Sequence, residues 1–239
     1  MIVAIMQPYF FPYIGYFQLM HAADIFVFHD DVQYIKGGWI NRNRIMLNNR
    51  VDWLTMPIRS GSNYLSINQR YFANESGTID KMKRRVVAAY AKSAAFDNVS
   101  PTIFDSLDFP DANVAAFNCN SLIAMAGKLG MKCKFARSSE LDISTASKGQ
   151  DKVIGLCRRF EADHYINPIG GVELYDPLAF ADAGITLSFL RTTAPPTPTE
   201  AGPQHLSVID GLMHLGFKGY GELLSKYTLL GKADVRTQA

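Results

Sequence analysis

The sequence predicts an α/β protein, a three-layer sandwich built on a mostly parallel sheet with a helical C-terminal region. Short apolar runs, such as those at residues 2–6 and 25–29, are typical of strands buried on both faces. Stretches with helical spacing separate these runs along the chain, and this alternation is typical of parallel sheets. The chain has 239 residues, of which 48% are hydrophobic and 19% charged, as in a globular protein.

The predicted elements follow one another without an internal repeat. Strands are predicted at residues 2–6, 25–29, 51–58, 132–136, 165–167 and 185–190, with a further strand beginning at 65–67. Helices are predicted at residues 14–23, 79–95, 112–129, 150–161, 177–183, 207–215 and 219–227. Residues 1–192 are expected to form the α/β core. Residues 193–239 are expected to form a Pro-rich loop, which cannot hold regular structure, and C-terminal helices packed on the same domain.

Charge, cysteines and hydropathy limit the classes of partner. A net charge of +2 is too small to indicate a nucleic-acid or membrane partner. Cys119, Cys133 and Cys157 have no zinc-ligand spacing and fit a reducing compartment. No apolar stretch reaches the length of a membrane span, and the N-terminus lacks the basic region of a signal peptide. We therefore expect a cytoplasmic protein without a metal site, and the cofactor is left open.

The candidate site residues are those that follow the predicted strands. In open parallel sheets, ligands bind outside the carboxyl ends of the strands, so separate segments meet at one edge. The expected substrate-binding residues are Gln7, Tyr9, Tyr13, Gln33, Tyr34, Lys36, Trp39, Asn41, Arg42, Ser138, Ser139, Gly170 and Gly171. The cations near residues 36–44 stand beside aromatic rings, which suits a small ligand that carries a phosphate and a ring.

His29, Asp30 and Asp31 are the candidate catalytic residues. His29 ends the second strand beside two carboxylates, whose charges are expected to raise its pKa toward neutrality or above, as acid–base catalysis requires. The chain has no GxSxG, Walker, HExxH or GxGxxG motif. Each cysteine lies inside a predicted helix or strand without a neighbouring histidine, which argues against a cysteine nucleophile.

Each of these positions also has a purely structural interpretation. Aromatic residues 9–13 could pack an elbow, residues 30–31 could cap a turn, and His29 could simply bond an aspartate. The arginines of residues 42–44 could be solvated, residues 138–139 could cap a helix, and the glycine pair could form a turn. The coincidence of polar residues at four strand ends favours a site.

Two segments near the N-terminus carry a family resemblance. MQPYFFPYIGYFQL at residues 6–19 and ADIFVFHDDVQYIKGGWINRNRI at residues 23–45 resemble the opening signature of the WbqC-like family. WLTMPI at residues 53–58, SSEL at 138–141 and LSVIDGLMHLG at 206–216 resemble its later blocks. The segment APPTPTEAGPQHLS, before the last block, departs from the family. The family is associated with O-antigen gene clusters, which implies a role in surface-polysaccharide biosynthesis.

A more distant resemblance is to nucleotidyltransferases of the HUP class, which implies a Rossmann-like sheet. It rests on the opening strand, the Pro-aromatic-Gly elbow, the helix and strand that follow, and the pair Ser138-Ser139. The elbow from Gln7 to Tyr13 lacks the histidine pair with which those enzymes hold phosphates. We therefore expect a shared fold without the adenylyl-transfer chemistry.

Three functions are compatible with these residues. The first is transfer of an acyl or aminoacyl group to a nucleotide-linked amino sugar, with Arg42 on the diphosphate. The second is nucleotidyl transfer, with Asp30 or Asp31 holding Mg²⁺. The third is non-catalytic binding of a sugar nucleotide. We expect the first, with a nucleotide sugar or similar phosphorylated ligand and an acyl or aminoacyl carrier protein as partners.

Overall fold

The computed structural model describes residues 1–75, 77–142, 148–195 and 205–237. The predicted Pro-rich loop therefore falls largely outside the described residues. The strands are β1 (Ile2–Met6), β2 (Ile25–Phe28), β3 (Arg42–Leu47), β4 (Arg50–Thr55), β5 (Lys134–Arg137), β6 (His164–Pro168), β7 (Thr186–Thr192) and β8 (Tyr227–Leu230). The helices are α1 (Ile14–Ala22), α2 (Thr78–Tyr90), α3 (Phe96–Leu107), α4 (Val114–Lys128), α5 (Gly149–Arg159), α6 (Pro177–Asp182), α7 (Val208–Gly221) and α8 (Lys232–Thr237). Within these ranges, no helix has the length and apolar character needed to span a membrane.

Six strands form the main sheet, in the order β5-β2-β1-β6-β7-β8. The first five run parallel to their neighbours, which confirms the predicted mostly parallel sheet, and β8 runs antiparallel to β7 at the edge. The strand order reverses at β1, because β2 and β5 lie on one side of it and β6 and β7 on the other. At such a point the loops that follow the central strands diverge and leave a crevice at the carboxyl edge.

Alternating side chains of the strands build two cores, one on each face of the sheet. In β2, Phe26 and Phe28 enter the larger core, whereas Ile25 and Val27 enter the smaller one, as the strand's period of two residues requires. The larger core also contains α1, α2, α3, α4 and α7, and the smaller core contains α5 and α6. The three layers explain why the strands are continuous apolar runs in the sequence.

The segment of residues 32–49, for which no strand or helix was predicted, contains strand β3, which pairs with β4 in a separate antiparallel hairpin. Its alternation is hidden because one of its two buried side chains is polar. Ile45 is buried in the larger core, but Asn43 is buried to donate hydrogen bonds to the backbone carbonyls of Phe10 and Phe11 at 3.2 and 3.0 Å. The hairpin is thereby fixed to the elbow that follows β1.

Three other predicted elements are wrong. The helix predicted at 79–95 ends at Tyr90, and a second helix, α3, follows it. The strand predicted at 65–67 is one bridge between Gln33 and Ser66, followed by a turn of 3-10 helix. The helix predicted at 219–227 ends early: non-helical Gly216 divides α7 in two, as the separate predicted helices require, but the second part ends at Gly221. The next regular element is β8, whose backbone is paired at the sheet edge.

Candidate functional site

The carboxylate of Asp30 is completely buried and accepts hydrogen bonds from the end of β5. Arg137, the last residue of β5, approaches one oxygen with Nε at 2.9 Å and with a terminal nitrogen at 2.7 Å. Ser139 donates from its backbone nitrogen at 3.0 Å and from its hydroxyl at 2.8 Å. A buried charge needs such partners. Both oxygens of Asp30 are thus engaged, and the residue ties the end of β2 to the end of β5.

Asp31 forms an ion pair with Lys152 next to the buried carboxylate. Nζ of Lys152, near the start of α5, is 2.6 Å from Oδ2 of Asp31, and the hydroxyl of Ser138 donates to Oδ1 at 2.5 Å. Burial opposes ionisation of Asp31, but the hydrogen bonds from Lys152 and Ser138 outweigh it and lower the pKa. An ammonium group has three N–H donors and Asp31 takes one, so Lys152 is also suited to binding an anion.

The imidazole of His29 lies beside this ion pair. Its Nε2 is buried and is 3.9 Å from Oδ1 of Asp31, too far for a hydrogen bond, and it has no other hydrogen-bond partner among the described residues. Burial and the charge of Lys152 lower the pKa of His29 to about 4, and the attraction of the two carboxylates opposes them only in part. The expected rise in this pKa is wrong, because the sequence revealed neither the burial nor Lys152. His29 is neutral near physiological pH.

The elbow after β1 packs largely within the protein. Gln7 leaves β1 beside the end of β2, because the two strands pair up to their last residues. Tyr9 packs on Tyr16 with ring centroids 5.7 Å apart, and Tyr13 stacks on His205 at 4.7 Å. Gln7, Tyr9 and Tyr13 are only partly buried. The elbow is therefore a packed element that also contributes surface to the carboxyl edge of the sheet.

The glycine pair follows β6 in a turn of 3-10 helix over residues 169–174. A β-carbon on Gly171 would lie 2.0 Å from Oδ1 of Asn167, whereas a β-carbon on Gly170 would meet open space. Asn167 is fixed in this position by Tyr165, to whose hydroxyl its amide donates at 2.7 Å. Packing therefore requires glycine at Gly171, and only Gly170 has free space beside it.

The hairpin of β3 and β4 carries a stack of tryptophan and arginine side chains. The register pairs Arg44 with Trp53, and Arg42 shares their face because it lies two residues earlier on β3. The Arg42 guanidinium is 4.1 Å from the centroid of the Trp53 ring, and the Arg44 guanidinium is 5.2 Å from that of Trp39. The two indoles are 5.6 Å apart. We call these four side chains the tryptophan–arginine stack.

The remaining polar residues of this segment hold the base of the hairpin. The hydroxyl of Tyr34 donates to Oδ1 of Asn41 at 2.9 Å, and the Asn41 amide donates to a backbone carbonyl just after β4 at 2.8 Å. The side chain of Gln33 donates to the carbonyl of Asn63 at 2.9 Å. The side chain of Asn41 is therefore occupied by hydrogen bonds within the protein, whereas the side chain of Lys36 is exposed.

Comparison with known proteins assigns the chain to a family. Residues 7–220 match the WbqC-like protein family. The chain belongs to this family. It is 24% identical over 188 residues to Rv1507c, an uncharacterized protein of Mycobacterium tuberculosis, and the match covers 78% of this chain and 80% of that protein. No solved structure matches the chain.

The predicted site residues of this WbqC-like protein fall into distinct groups. One group, which we call the strand-end cluster, lies at the carboxyl ends of β2 and β5 and consists of His29, Asp30, Asp31, Arg137, Ser138, Ser139 and Lys152. A second group is the tryptophan–arginine stack, which includes the predicted residues Trp39 and Arg42. The elbow and the glycine pair contribute the loops after β1 and β6, neighbouring strands at the point where the strand order reverses.

Sequence reasoning missed three residues of these groups. Arg137 was one position beyond the predicted end of β5, and Lys152 was read only as part of a helix. Trp53 was placed in a strand without a functional role. A signal existed for Arg137, because it directly precedes the serine pair. The position of Lys152 depends on its contact with Asp31, which is 121 residues away in the chain. The position of Trp53 depends on its contact with Arg42, which is 11 residues away.

The three thiols are poorly suited to nucleophilic chemistry. Burial raises the pKa of Cys133 to about 11 and that of Cys157 to about 12, and it raises the pKa of Cys119 still further. The thiolate, which is the reactive form, is therefore scarce. Among the described residues, no three His, Cys, Asp or Glu side chains are grouped so that they could hold a metal ion.

Proposed function

We propose that this protein is a cytoplasmic enzyme of bacterial surface-polysaccharide biosynthesis that transfers an acyl or aminoacyl group to the amino group of a nucleotide-linked amino sugar. One observation carries the proposal: a neutral, buried imidazole, that of His29, stands beside the ion pair of Asp31 and Lys152 at the carboxyl edge of a parallel sheet. Two further points support it. The chain belongs to the WbqC-like family, whose expected role is in surface-polysaccharide biosynthesis. The order of the parallel strands also reverses at β1, and in open parallel sheets ligands bind at the carboxyl edge beside such a point.

The proposed reaction uses the strand-end cluster for proton transfer and charge stabilisation. The amine of the sugar attacks the acyl carbon of a thioester, so that an N–C bond forms and the C–S bond breaks. His29 accepts the proton that the amine loses and returns it to the departing thiolate. A free N–H of Lys152 stabilises the oxyanion of the tetrahedral intermediate. Asp31 holds Lys152 in position through their ion pair, and Asp30 keeps the cluster rigid through Arg137.

The tryptophan–arginine stack supplies the proposed contacts to the nucleotide. Arg42 stacks on Trp53 and also donates to the backbone carbonyls of Gly37 and Gly38, so its charge is held in one position. An arginine fixed in this way binds a phosphate with little further loss of side-chain entropy. Lys36 is exposed on the loop that contains Gly37 and Gly38 and offers a second cation. An acyl or aminoacyl carrier protein is the proposed source of the thioester.

Nucleotidyl transfer is the weaker candidate. It requires carboxylate oxygens for Mg²⁺, but both oxygens of Asp30 already accept hydrogen bonds from Arg137 and from Ser139. Asp31 is likewise engaged by Lys152. A metal would have to displace these bonds, whereas proton transfer through His29 leaves them in place.

The test is a transfer assay on the purified protein. Uridine- and thymidine-diphosphate amino sugars would be incubated with acyl-coenzyme A thioesters as donors, and the acylated sugar would be measured by mass spectrometry. His29→Gln should lower kcat by a factor of about 100 or more, as expected for loss of a general base, while His21→Gln, at an exposed histidine, should leave kcat unchanged. Turnover that persists undiminished in His29→Gln would refute the assigned mechanism. Absence of transfer with every pair would refute the proposed function.

A further inference from the structure

A groove lies between β4 and α2, next to the tryptophan–arginine stack, and none of the residues that line it was a predicted site residue. Its volume is about 320 Å³, and it is lined by Trp53, Thr55, Pro57, Thr78, Lys81, Met82 and Arg85. This volume falls at the lower end of the range for small-molecule sites. The groove therefore has room for a ligand the size of a mononucleotide.

The groove is built by two regular elements, strand β4 and helix α2. Trp53 and Thr55 alternate along β4 and so share one face of the strand with Pro57, which follows it. Lys81 and Arg85 lie one turn apart on α2 and face the strand. Regular elements of this kind hold side chains in fixed positions, so the groove does not depend on a mobile loop.

The cations of the groove differ in how they are held. Arg85 pairs with Asp52 at 2.5 Å and donates to the carbonyl of Trp53 at 3.2 Å. Lys81 is exposed, and among the described residues no carboxylate pairs with it. By contrast, Lys83 on the same helix is neutralised by Asp108 at 2.5 Å. Lys81 thus brings a free positive charge to the mouth of the groove.

The indole of Trp53 gives the groove an aromatic wall. Arg42 and Trp39 both lie against the ring, yet Trp53 remains 37% exposed, which is high for a residue of this size. Thr55 and Thr78 add hydroxyl groups that can accept or donate hydrogen bonds. An aromatic surface beside a free ammonium and an anchored guanidinium suits a planar ring that carries a phosphate.

We propose that this groove binds the nucleoside-phosphate half of the sugar nucleotide, with the base against Trp53 and the phosphate next to the nucleoside on Lys81 and Arg85, which leaves the phosphate next to the sugar to Arg42. The inference rests on the proposed function for the source of the nucleotide and names where that half is held. It also assigns α2, which carries none of the predicted site residues, to substrate binding.

Binding of uridine monophosphate to the intact chain tests the inference by calorimetry. Lys81→Glu should weaken binding about ten- to a hundred-fold, the cost of losing a charge-assisted contact. The matched control is Arg84→Glu, which makes the same change of charge at an exposed position on α2 that does not line the groove. Screening by salt should limit its effect to about two-fold. Uridine, which lacks the phosphate, should bind at least about ten-fold more weakly than the monophosphate.

Trp53→Leu should weaken binding by a similar factor through loss of stacking. If that variant does not fold, the comparison of Lys81→Glu with Arg84→Glu still decides. Equal effects of these two substitutions, or no binding of the monophosphate, would overturn the inference. Monophosphate binding with the expected pattern but without any acyl transfer would uphold the groove and refute the proposed function. Transfer that depends on His29 but is insensitive to Lys81→Glu would uphold the proposed function and refute nucleotide binding in the groove.

Discussion

Acidification should destabilise the protein through His29. Burial and the charge of Lys152 lower the pKa of His29 from its ordinary 6.5 to about 4. The unfolded chain therefore binds this proton more readily than the folded protein, so the stability is complete above the ordinary pKa and falls as the pH decreases toward 4. The shift corresponds to a loss of about 3 kcal/mol once the pH is below 4, and to about 2 kcal/mol at about pH 5.

Urea unfolding of the wild type and of His29→Gln at about pH 7.5 and about pH 5 isolates this effect. His164, whose pKa burial also lowers, contributes equally to both proteins and cancels in the comparison. The pKa of Asp31 is lowered as well, but a carboxylate of this kind loses its contribution only at more acidic pH. The wild type should lose about 2 kcal/mol more than the variant. Equal losses would refute the assignment of a buried, neutral His29.

Other substitutions test the packing of the site by urea unfolding. Arg137→Ala should cost about 3 kcal/mol, because it leaves the buried charge of Asp30 without its cation; a loss below about 1 kcal/mol would contradict that pairing. Gly171→Ala should cost about 1–3 kcal/mol because the new methyl group would clash with the Asn167 side chain, whereas Gly170→Ala should change stability by less than about 0.5 kcal/mol. Replacing all three cysteines by Ala should preserve transfer activity apart from stability losses of roughly 1–3 kcal/mol per buried site. Loss of activity on alkylation of a single thiol would argue for a cysteine nucleophile.

The main sheet could be predicted because its strands are buried on both faces. Continuous apolar runs such as those of β1 and β2 are the direct consequence of two cores, and they remain visible without any knowledge of the fold. Strand β3 lacked this signal because Asn43 is buried through hydrogen bonds to the elbow. Strand β8 lacked it because it lies at the sheet edge, where half of its residues are exposed. Its pairing with β7 is a tertiary interaction that local propensity does not encode.

The candidate site was predictable in position but not in electrostatics. Strand ends in a parallel sheet share an edge, so the acidic pair and the serine pair could be expected near each other. The protonation state of His29 could not be foreseen, because it depends on the depth of burial and on Lys152, more than a hundred residues away. The groove beside Trp53 was likewise invisible in sequence, since its two walls come from separate elements brought together only by the fold.

A crystal structure with a uridine-diphosphate amino sugar is the most direct test of the proposed active site. We predict that the amino nitrogen of the sugar lies about 3 Å from an imidazole nitrogen of His29, within reach for proton transfer, and that the uridine stacks against Trp53. A complex in which the sugar lies away from the carboxyl ends of β2 and β5 would contradict the assignment of the strand-end cluster as the catalytic centre.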